Sequence, residues 1–502
     1  MDALVTLDAG TGSVRCIAFD PCGQPLAAAQ EPLTYHSFVD AGMPFLRGFD
    51  LDPASFRAAL ARCARAVGRG LPPDARIRGV IATSQREGCV FVDRAGEVLY
   101  AGPNLDARSA IEGMELEQTI GAARLHEVTG HAPPYIFPVA RYLWFRKHHD
   151  AARVATVLML NDWITYLLSG VRVAEHSNAS ESMLYDVSAR TWSTEFLRAL
   201  DIPPDVLPPL RAAGTCVGAV TAAAAALTGI PDGTPVFAGG ADTQSALLGS
   251  GVYEPGQTGA VLGTTSPVQM VTERPILDPK GSLWTSPHVV ADRWVLESNA
   301  GDTGGAYRWL LDLAFGSSDA AGHAAAEQAI ADTGAGERQI FCHLGPVIFS
   351  LRDMSPFKPA GLLFRFPLLH SDRPARGELL RAYLESVAFA IRGNCEQISA
   401  VSGRPIASLV ASGGMTRSPT LTALLANTIG VPLTVATVPE SASLGCAMLA
   451  AVGAGLHPTI PDAVGAMMRA RRVDPDPAQR VACDERYRKW REVYDLLQTW
   501  TL

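Results

Sequence analysis

The sequence predicts an α/β protein made of two related domains. Three observations point there. At 502 residues the chain exceeds what a single hydrophobic core supports. A strand–turn–strand unit rich in Gly and Thr occurs twice, at Gly10-Thr11-Gly12 and at Gly263-Thr264-Thr265, and an internal duplication organises a fold. Between the two copies Asp242 stands where an apolar run gives way to helical spacing, and α/β folds collect their ligands at the carboxyl ends of strands.

In chain order, residues 3–7 read as a buried strand, Asp8-Ala9-Gly10-Thr11-Gly12-Ser13 as a turn and residues 15–19 as a second strand. Such a hairpin turn presents backbone N–H groups and hydroxyls that can cradle phosphate, though one copy alone favours an ordinary glycine-rich hairpin. Residues 53–68 form an amphipathic, Ala-rich pattern. Strands are expected at 78–83 and 89–92, helices at 139–149 and 161–168, and a proline-rich connector at 202–210. The second copy opens the other half with strands at 258–262 and 268–271 around Gly263-Thr264-Thr265-Ser266. Beyond it, residues 377–397 carry Leu380, Leu384, Val387 and Ile391 on one helical face. A strand at 409–412 ends in Gly413-Gly414, followed by a helix at 419–430, a strand at 433–435 and a helix at 443–451. Residues 484–502 form an amphipathic helix bearing Tyr487, Trp490, Tyr494 and Trp500, read as a docking surface.

The mid-chain turn has two readings. Residues 236–238 are a short apolar strand broken by Gly239 and Gly240. The glycines permit backbone conformations closed to other residues and leave room for a substrate beside the carboxylate. The small residues of 243–248 would let the next helix pack closely on the sheet. Asp242 is then a catalytic base, or the helix N-cap that Asp commonly provides.

Composition excludes several classes. A net charge of −8 argues against nucleic acid or an anionic membrane as partner, so an anionic ligand needs local backbone amides, a metal or single arginines. Nine cysteines without a CxxC pair suit reduced thiols in a cytoplasm. The N-terminal MDALVTLDAG enters a strand at once rather than reading as a signal peptide. No zinc-type ligand spacing is visible among the histidines.

Neither GxxxxGK[ST] nor GxGxxG occurs. The blocks that do occur resemble the FGGY carbohydrate kinase family, over nearly the whole chain. They are Asp8, Gly10, Thr11, Ser13 and Arg15 as DxGTxSxR; PVARYLWF with Arg141 where Lys is usual; LLRAYLESVAFAIR; ASGGMTRSP; and PESASLGCAMLA. The resemblance implies two ribonuclease H-like domains of the actin/hexokinase ATPase type, with a nucleotide cleft between them. Residues 1–247 would bind sugar and phosphate, and residues 248–502 nucleotide. Asp8 would hold Mg²⁺, directly or through water. Thr11, Gly12, Ser13 and Arg15, with Gly263, Thr264 and Thr265, would face the phosphates of ATP. Gly304 in DTGGAYRW, with Gly414 and Ser418, would border the adenosine. Asp242 would take the proton of the acceptor hydroxyl, and the five blocks together favour base over cap. Phosphoryl transfer needs chiefly positioning, charge stabilisation and one orienting carboxylate.

Arg86 and Glu87 follow a strand in Ser84-Gln85-Arg86-Glu87-Gly88. A guanidinium fork beside an acid suits vicinal hydroxyls, and a plain surface ion pair is the alternative. The resemblance makes Arg86, Glu87, Asp106, Asp242 and Thr243 substrate contacts. Asn104-Leu105-Asp106-Ala107-Arg108 has Asn where the family usually has Trp, which removes an aromatic wall and disfavours glycerol. The combination SxREG, NxDAR, Asp162-Trp163 with Leu168-Ser169-Gly170, and Ser177-Asn178-Ala179-Ser180 is similar to the autoinducer-2 kinases. That subgroup phosphorylates a primary hydroxyl of an open-chain five-carbon signal. Glycerol, xylulose and other pentose or polyol kinases stay open, as do a nucleotide-dependent sugar sensor of the same fold and an ATP hydrolase. A small-molecule substrate is the expected partner, and a homodimer stays open.

Overall fold

The computed structural model describes residues 1–39, 46–333, 340–350, 359–364, 373–438 and 440–499. The chain divides into two compact units. One comprises Met1–Pro255, Val271–Val295 and Glu440–Met468; the other comprises Gly256–Met270, Leu296–Pro439 and Arg469–Leu502.

In the first unit the strand Asp2–Ala9 is buried at every residue after Asp2, as expected of a central strand covered on both faces. It pairs antiparallel with Ser13–Phe19, Ala9 opposite Val14, so the Gly-Thr-Gly turn is the whole connection. On its other side it runs parallel to Arg76–Ser84, with Asp8 beside Thr83. Pro235–Phe237 lies parallel to that strand in turn, Phe237 opposite Ile81. The order across this sheet is Cys216–Ala219, Pro235–Phe237, Arg76–Ser84, Asp2–Ala9, Ser13–Phe19, Pro25–Pro32. Because the three middle strands are parallel, Asp8, Ser84 and the turn leading to Asp242 emerge at one edge. The helix Pro53–Gly70, capped by Asp52, sets Phe56 against Trp163 with ring centroids 5.0 Å apart.

The second unit repeats the plan. Its strands follow the order Trp294–Asp302, Thr265–Thr272, Thr258–Val261, Leu409–Ser412, Leu433–Ala436, Ala470–Val473. Thr258–Val261 pairs antiparallel with Thr265–Thr272 and parallel with Leu409–Ser412. Leu433–Ala436 joins parallel to the latter, and Ala470–Val473 closes the edge antiparallel. The duplication seen in the sequence is therefore a duplication of topology. One connection differs: the antiparallel edge strand precedes its neighbour in the first unit and follows it in the second.

The last helix, Pro477–Gln498, begins earlier than its aromatic pattern shows, because Asp476 caps it and Pro477 takes its first position. Its aromatic face is consumed within the second unit. The Trp490 indole N–H donates to Cys342 O at 3.0 Å, and the Tyr494 hydroxyl bonds the backbone of Ile348. Tyr487 donates to Glu396 at 2.6 Å beneath the Arg392 guanidinium. Trp500 lies outside the described residues. Replacing the fully buried Trp490 by Ala should cost about 3–5 kcal/mol, read as an earlier urea transition with unchanged far-ultraviolet dichroism before it.

Candidate active site

The first hairpin is braced from three sides. Tyr35 OH donates to Thr11 O at 2.7 Å, Asn104 Nδ2 donates to Thr11 Oγ1 at 3.1 Å, and Gln30 Nε2 donates to Ser13 Oγ at 3.0 Å. A side chain on Gly12 would meet nothing within 4 Å, so open space lies over the turn. Asp8 sits just below, buried, with Oδ1 bonded to nothing. Arg15 Nη1 stands 3.8 Å from Asp8 Oδ2 and 3.1 Å from Glu440 Oε2. Burial, with the charge of Asp242, pushes the Asp8 carboxyl up to about 7.

Asp242 opens the helix Asp242–Gly249, but the N-cap is Ala241, without a side-chain cap bond. The cap reading of Asp242 therefore fails, because Asp242 is the first residue inside the helix rather than the one before it, and its carboxylate accepts from Thr243 Oγ1 at 3.1 Å. Burial raises its proton affinity, opposed by the charge of Arg86. The glycines before it serve a purpose other than the one expected. Neither has positive φ; a Cβ on Gly239 would strike Ala82 O, and one on Gly240 would lie 2.5 Å from Ser177 Oγ. They admit the protein's own chain. The close packing of the helix is likewise against another helix, Ser441–Gly453, where Gly249 and Gly445 each lie against the partner's backbone.

Arg86 and Glu87 share this edge of the sheet. Arg86 Nη1 lies 3.7 Å from Glu181 Oε1 and Arg86 Nε 4.0 Å from Glu87 Oε1, with the guanidinium 5.6 Å from the Trp284 ring centre. All four side chains are in the first unit. Glu87 has φ 57°, a left-handed backbone that a non-glycine residue adopts only when held. The hold is Arg141, fully buried, whose Nη1 donates to Glu87 O at 2.7 Å and whose Nε donates to Asp106 O at 3.2 Å. A lysine at this position has no fork with which to join two loops. Burial raises the Glu87 carboxyl, helped by Glu181 and Asp242 against Arg86. Burial also acts upward on Glu181, yet His131 and Arg86 outweigh it and keep Glu181 below the ordinary value.

Asp106 is placed otherwise than expected. It is fully buried and both oxygens are engaged: by Tyr100 OH at 2.5 Å, Arg108 Nε at 2.7 Å and Phe49 N–H at 3.0 Å. It shapes the loop rather than presenting a carboxylate. Sequence reasoning also missed Glu181, His131 and Trp284. Glu181 directly follows the quoted SNAS block, but only packing reveals that it faces Arg86. Trp284, buried against Arg86, His131 and Phe137, places an aromatic ring beside this cluster.

In the second unit, Thr303 N and Gly304 N donate to Thr264 O at 3.0 Å each, so the helix Gly304–Phe315 starts on the second hairpin. Arg308 Nη2 donates to Thr264 Oγ1 at 3.2 Å. Gly413 has φ 92° and a Cβ there would meet Leu262 O at 2.5 Å, whereas Gly414 faces open space. Gly263, Thr264, Gly304 and Gly414 thus converge, with Thr265 on the hairpin strand. Ser418 stands apart in role: its hydroxyl caps Pro419–Ile429 through Leu421 N–H at 3.0 Å and donates to Glu327.

With that geometry in hand, comparison with known proteins is decisive. The N-terminal domain of the FGGY family of carbohydrate kinases matches residues 3–249, and its C-terminal domain residues 259–454. The chain belongs to this family. It is an ATP-dependent carbohydrate kinase that phosphorylates a hydroxyl of a small sugar-like substrate. It is 32% identical over 509 residues to an autoinducer-2 kinase of Enterobacter sp. (strain 638), covering 98% of this chain and 94% of that protein. An autoinducer-2 kinase of Escherichia coli O139:H28 is 33% identical over 506 residues, with the same coverage. Among solved structures, a xylulose kinase from Rhodospirillum rubrum superposes with TM-score 0.84 at 29% identity over 99% of both chains. A glycerol kinase from Plasmodium falciparum superposes with TM-score 0.83 at 18% identity over 100% of this chain and 99% of that one, which shows the shared fold.

Under the Asp242 turn lies Glu175, whose Oε2 accepts from Ser177 N at 2.8 Å and Ser177 Oγ at 2.5 Å. Burial pushes its carboxyl from 4.5 up to about 7. Between those values the folded kinase keeps a proton that the unfolded chain has lost. Stability from this group therefore falls as pH rises from 4.5 to about 7 and is level above. In Glu175→Gln that decline should vanish, so the urea midpoint of the variant gains on the parent across this window. Parallel curves would mean that Glu175 is ionised throughout.

Proposed function

We propose that this kinase phosphorylates a primary hydroxyl of the open-chain dihydroxypentanedione form of autoinducer-2, with Asp242 as general base and Mg-ATP as donor. The observation that carries the reading is the cluster at the sheet edge: Asp242, Arg86, Glu87 and Glu181 lie within one another's electrostatic reach, and Asp8 senses the Asp242 charge. Curated relatives near one third identity over nearly full length carry that name. Arg86 and Glu87 orient the acceptor's oxygens, and Trp284 lines its carbon face. Thr243 steadies the Asp242 carboxylate. The base acts as the bond to phosphorus forms, since an alcohol is not ionised beforehand at neutral pH.

The Asp8 oxygen without a partner fits Mg²⁺, an ion commonly held by one or two carboxylates together with substrate phosphates and water. Bound there, such a cation would offset the charge of the phosphates. Thr11, Gly12, Ser13 and Arg15 take phosphate oxygens, as do Gly263, Thr264 and Thr265. Gly304 and Gly414 border the adenosine, with Ser418 shaping that wall through its cap. Nine free cysteines suit a cytoplasmic setting.

A second reading, xylulose as acceptor, is favoured by the Rhodospirillum rubrum kinase. ADP release measured across dihydroxypentanedione, xylulose, ribulose, glycerol and erythritol separates the two by kcat/KM. Asp242→Asn should lower kcat at least 10²- to 10⁴-fold with nucleotide Kd little changed. Turnover at the parent rate would remove Asp242 as base.

A further inference from the structure

The regular ladder between Pro235–Phe237 and Arg76–Ser84 stops at Phe237 opposite Ile81 and returns only as an isolated bridge between Ala241 and Ser84, so the peptides of this stretch lean on side chains as well. Three consecutive residues do so on side chains from three different segments. Asn161 Nδ2 donates to Gly239 O at 2.5 Å. Thr83 Oγ1 donates to Gly240 O at 2.8 Å. Ala241 N donates to Ser177 Oγ at 2.9 Å. Asp242 is the next residue.

The three donors and acceptors are themselves fixed. Ser177 Oγ donates onward to Glu175 Oε2 at 2.5 Å, so its lone pair is turned to Ala241. Asn178 Nδ2 donates to Asn161 Oδ1 at 2.7 Å and to Ser84 Oγ at 3.1 Å, which sets the Asn161 amide so that its nitrogen meets Gly239. Asn161 N donates to Ser84 Oγ at 3.0 Å, and Glu175 N donates to Asp162 Oδ1 at 3.2 Å. Every one of these side chains is buried. Asp162 Oδ2 and Asn178 Oδ1 lack partners among the described residues, but Asn161 and Ser177, which reach the turn before Asp242, are each tied to a further buried side chain and so resist displacement.

We infer that Ser177, Asn161 and Thr83 are positioning residues for the Asp242 carboxylate, with Glu175 and Asn178 as their supports. The inference rests on the reading of Asp242 as base. It also gives a purpose to the Ser177-Asn178-Ala179-Ser180 block and to Asn161, the neighbour of the Asp162-Trp163 block. A polar floor is needed here because a carboxylate displaced by about 1 Å loses on the order of 10²-fold in rate, and an apolar floor would leave three peptide groups unpaired.

The test is a double-mutant cycle on the purified full chain with labelled ATP. Ser177→Ala should lower kcat roughly 10- to 100-fold, with KM for the acceptor and Kd for nucleotide within about 3-fold of the parent. In the Asp242→Asn background the same change should have no further effect on the residual rate, because the group it places is gone. An equal fold-loss in both backgrounds, or no loss in either, overturns the inference. If Ser177→Ala fails to fold, Thr83→Val, which removes the bond to Gly240, is carried through the same cycle under the same criteria. Full activity of Asp242→Asn would instead sink the base, a separable result.

Discussion

The parallel alignment of three strands is the constraint on which everything else depends. Arg76–Ser84 lies between Asp2–Ala9 and Pro235–Phe237, parallel to both. Parallel strands finish at the same edge, so residues from the beginning and the middle of the chain meet there although neither is near the other in sequence. Asp8, the Arg86–Glu87 loop and Asp242 all emerge at that edge. Backbone hydrogen bonding, rather than any attraction between these acids, brings them together.

That gathering has an electrostatic consequence. Asp8, Glu87 and Asp242 are all raised by burial; the charge of Asp242 adds to the first two and that of Glu181 to the last two. Arg86, set against Glu87 and Glu181, opposes the rise at Glu87 and Asp242, and Arg15 opposes it at Asp8. In a cluster of this kind an arriving cation or proton relieves part of the repulsion among the acids. The rigid frame supplies what the charges do not. Arg141 locks a left-handed backbone at Glu87 through its carbonyl, and glycines at 239, 240, 249 and 445 let chain segments approach to contact.

Much of this was legible in the sequence because the signals are local. Gly-Thr turns between apolar runs read as hairpins, and the duplicate at Gly263 told of a repeated unit. Five short blocks in order identified the family. What was misread depended on partners far along the chain. Gly239 and Gly240 look like room for a ligand until Ala82 and Ser177 are found against them. Asp106 looks like a substrate acid until Tyr100, Arg108 and Phe49 are seen to occupy it. Ser418 looks like a nucleotide contact until its hydroxyl is traced to a helix cap and Glu327. The aromatic face of the last helix looks like a docking surface until Trp490 is found bonded to Cys342 within its own unit.

The sequence by itself determined the fold class, the duplication, the family and the residue types the chemistry needs, because periodicity, turn chemistry and motif order are written in adjacent positions. Only the tertiary structure decided which acids lie together at the sheet edge, that Asp242 is not the helix cap, and that Glu181, His131 and Trp284 join them. Those outcomes hang on strand register and on side chains meeting across long separations, and no local pattern encodes such meetings.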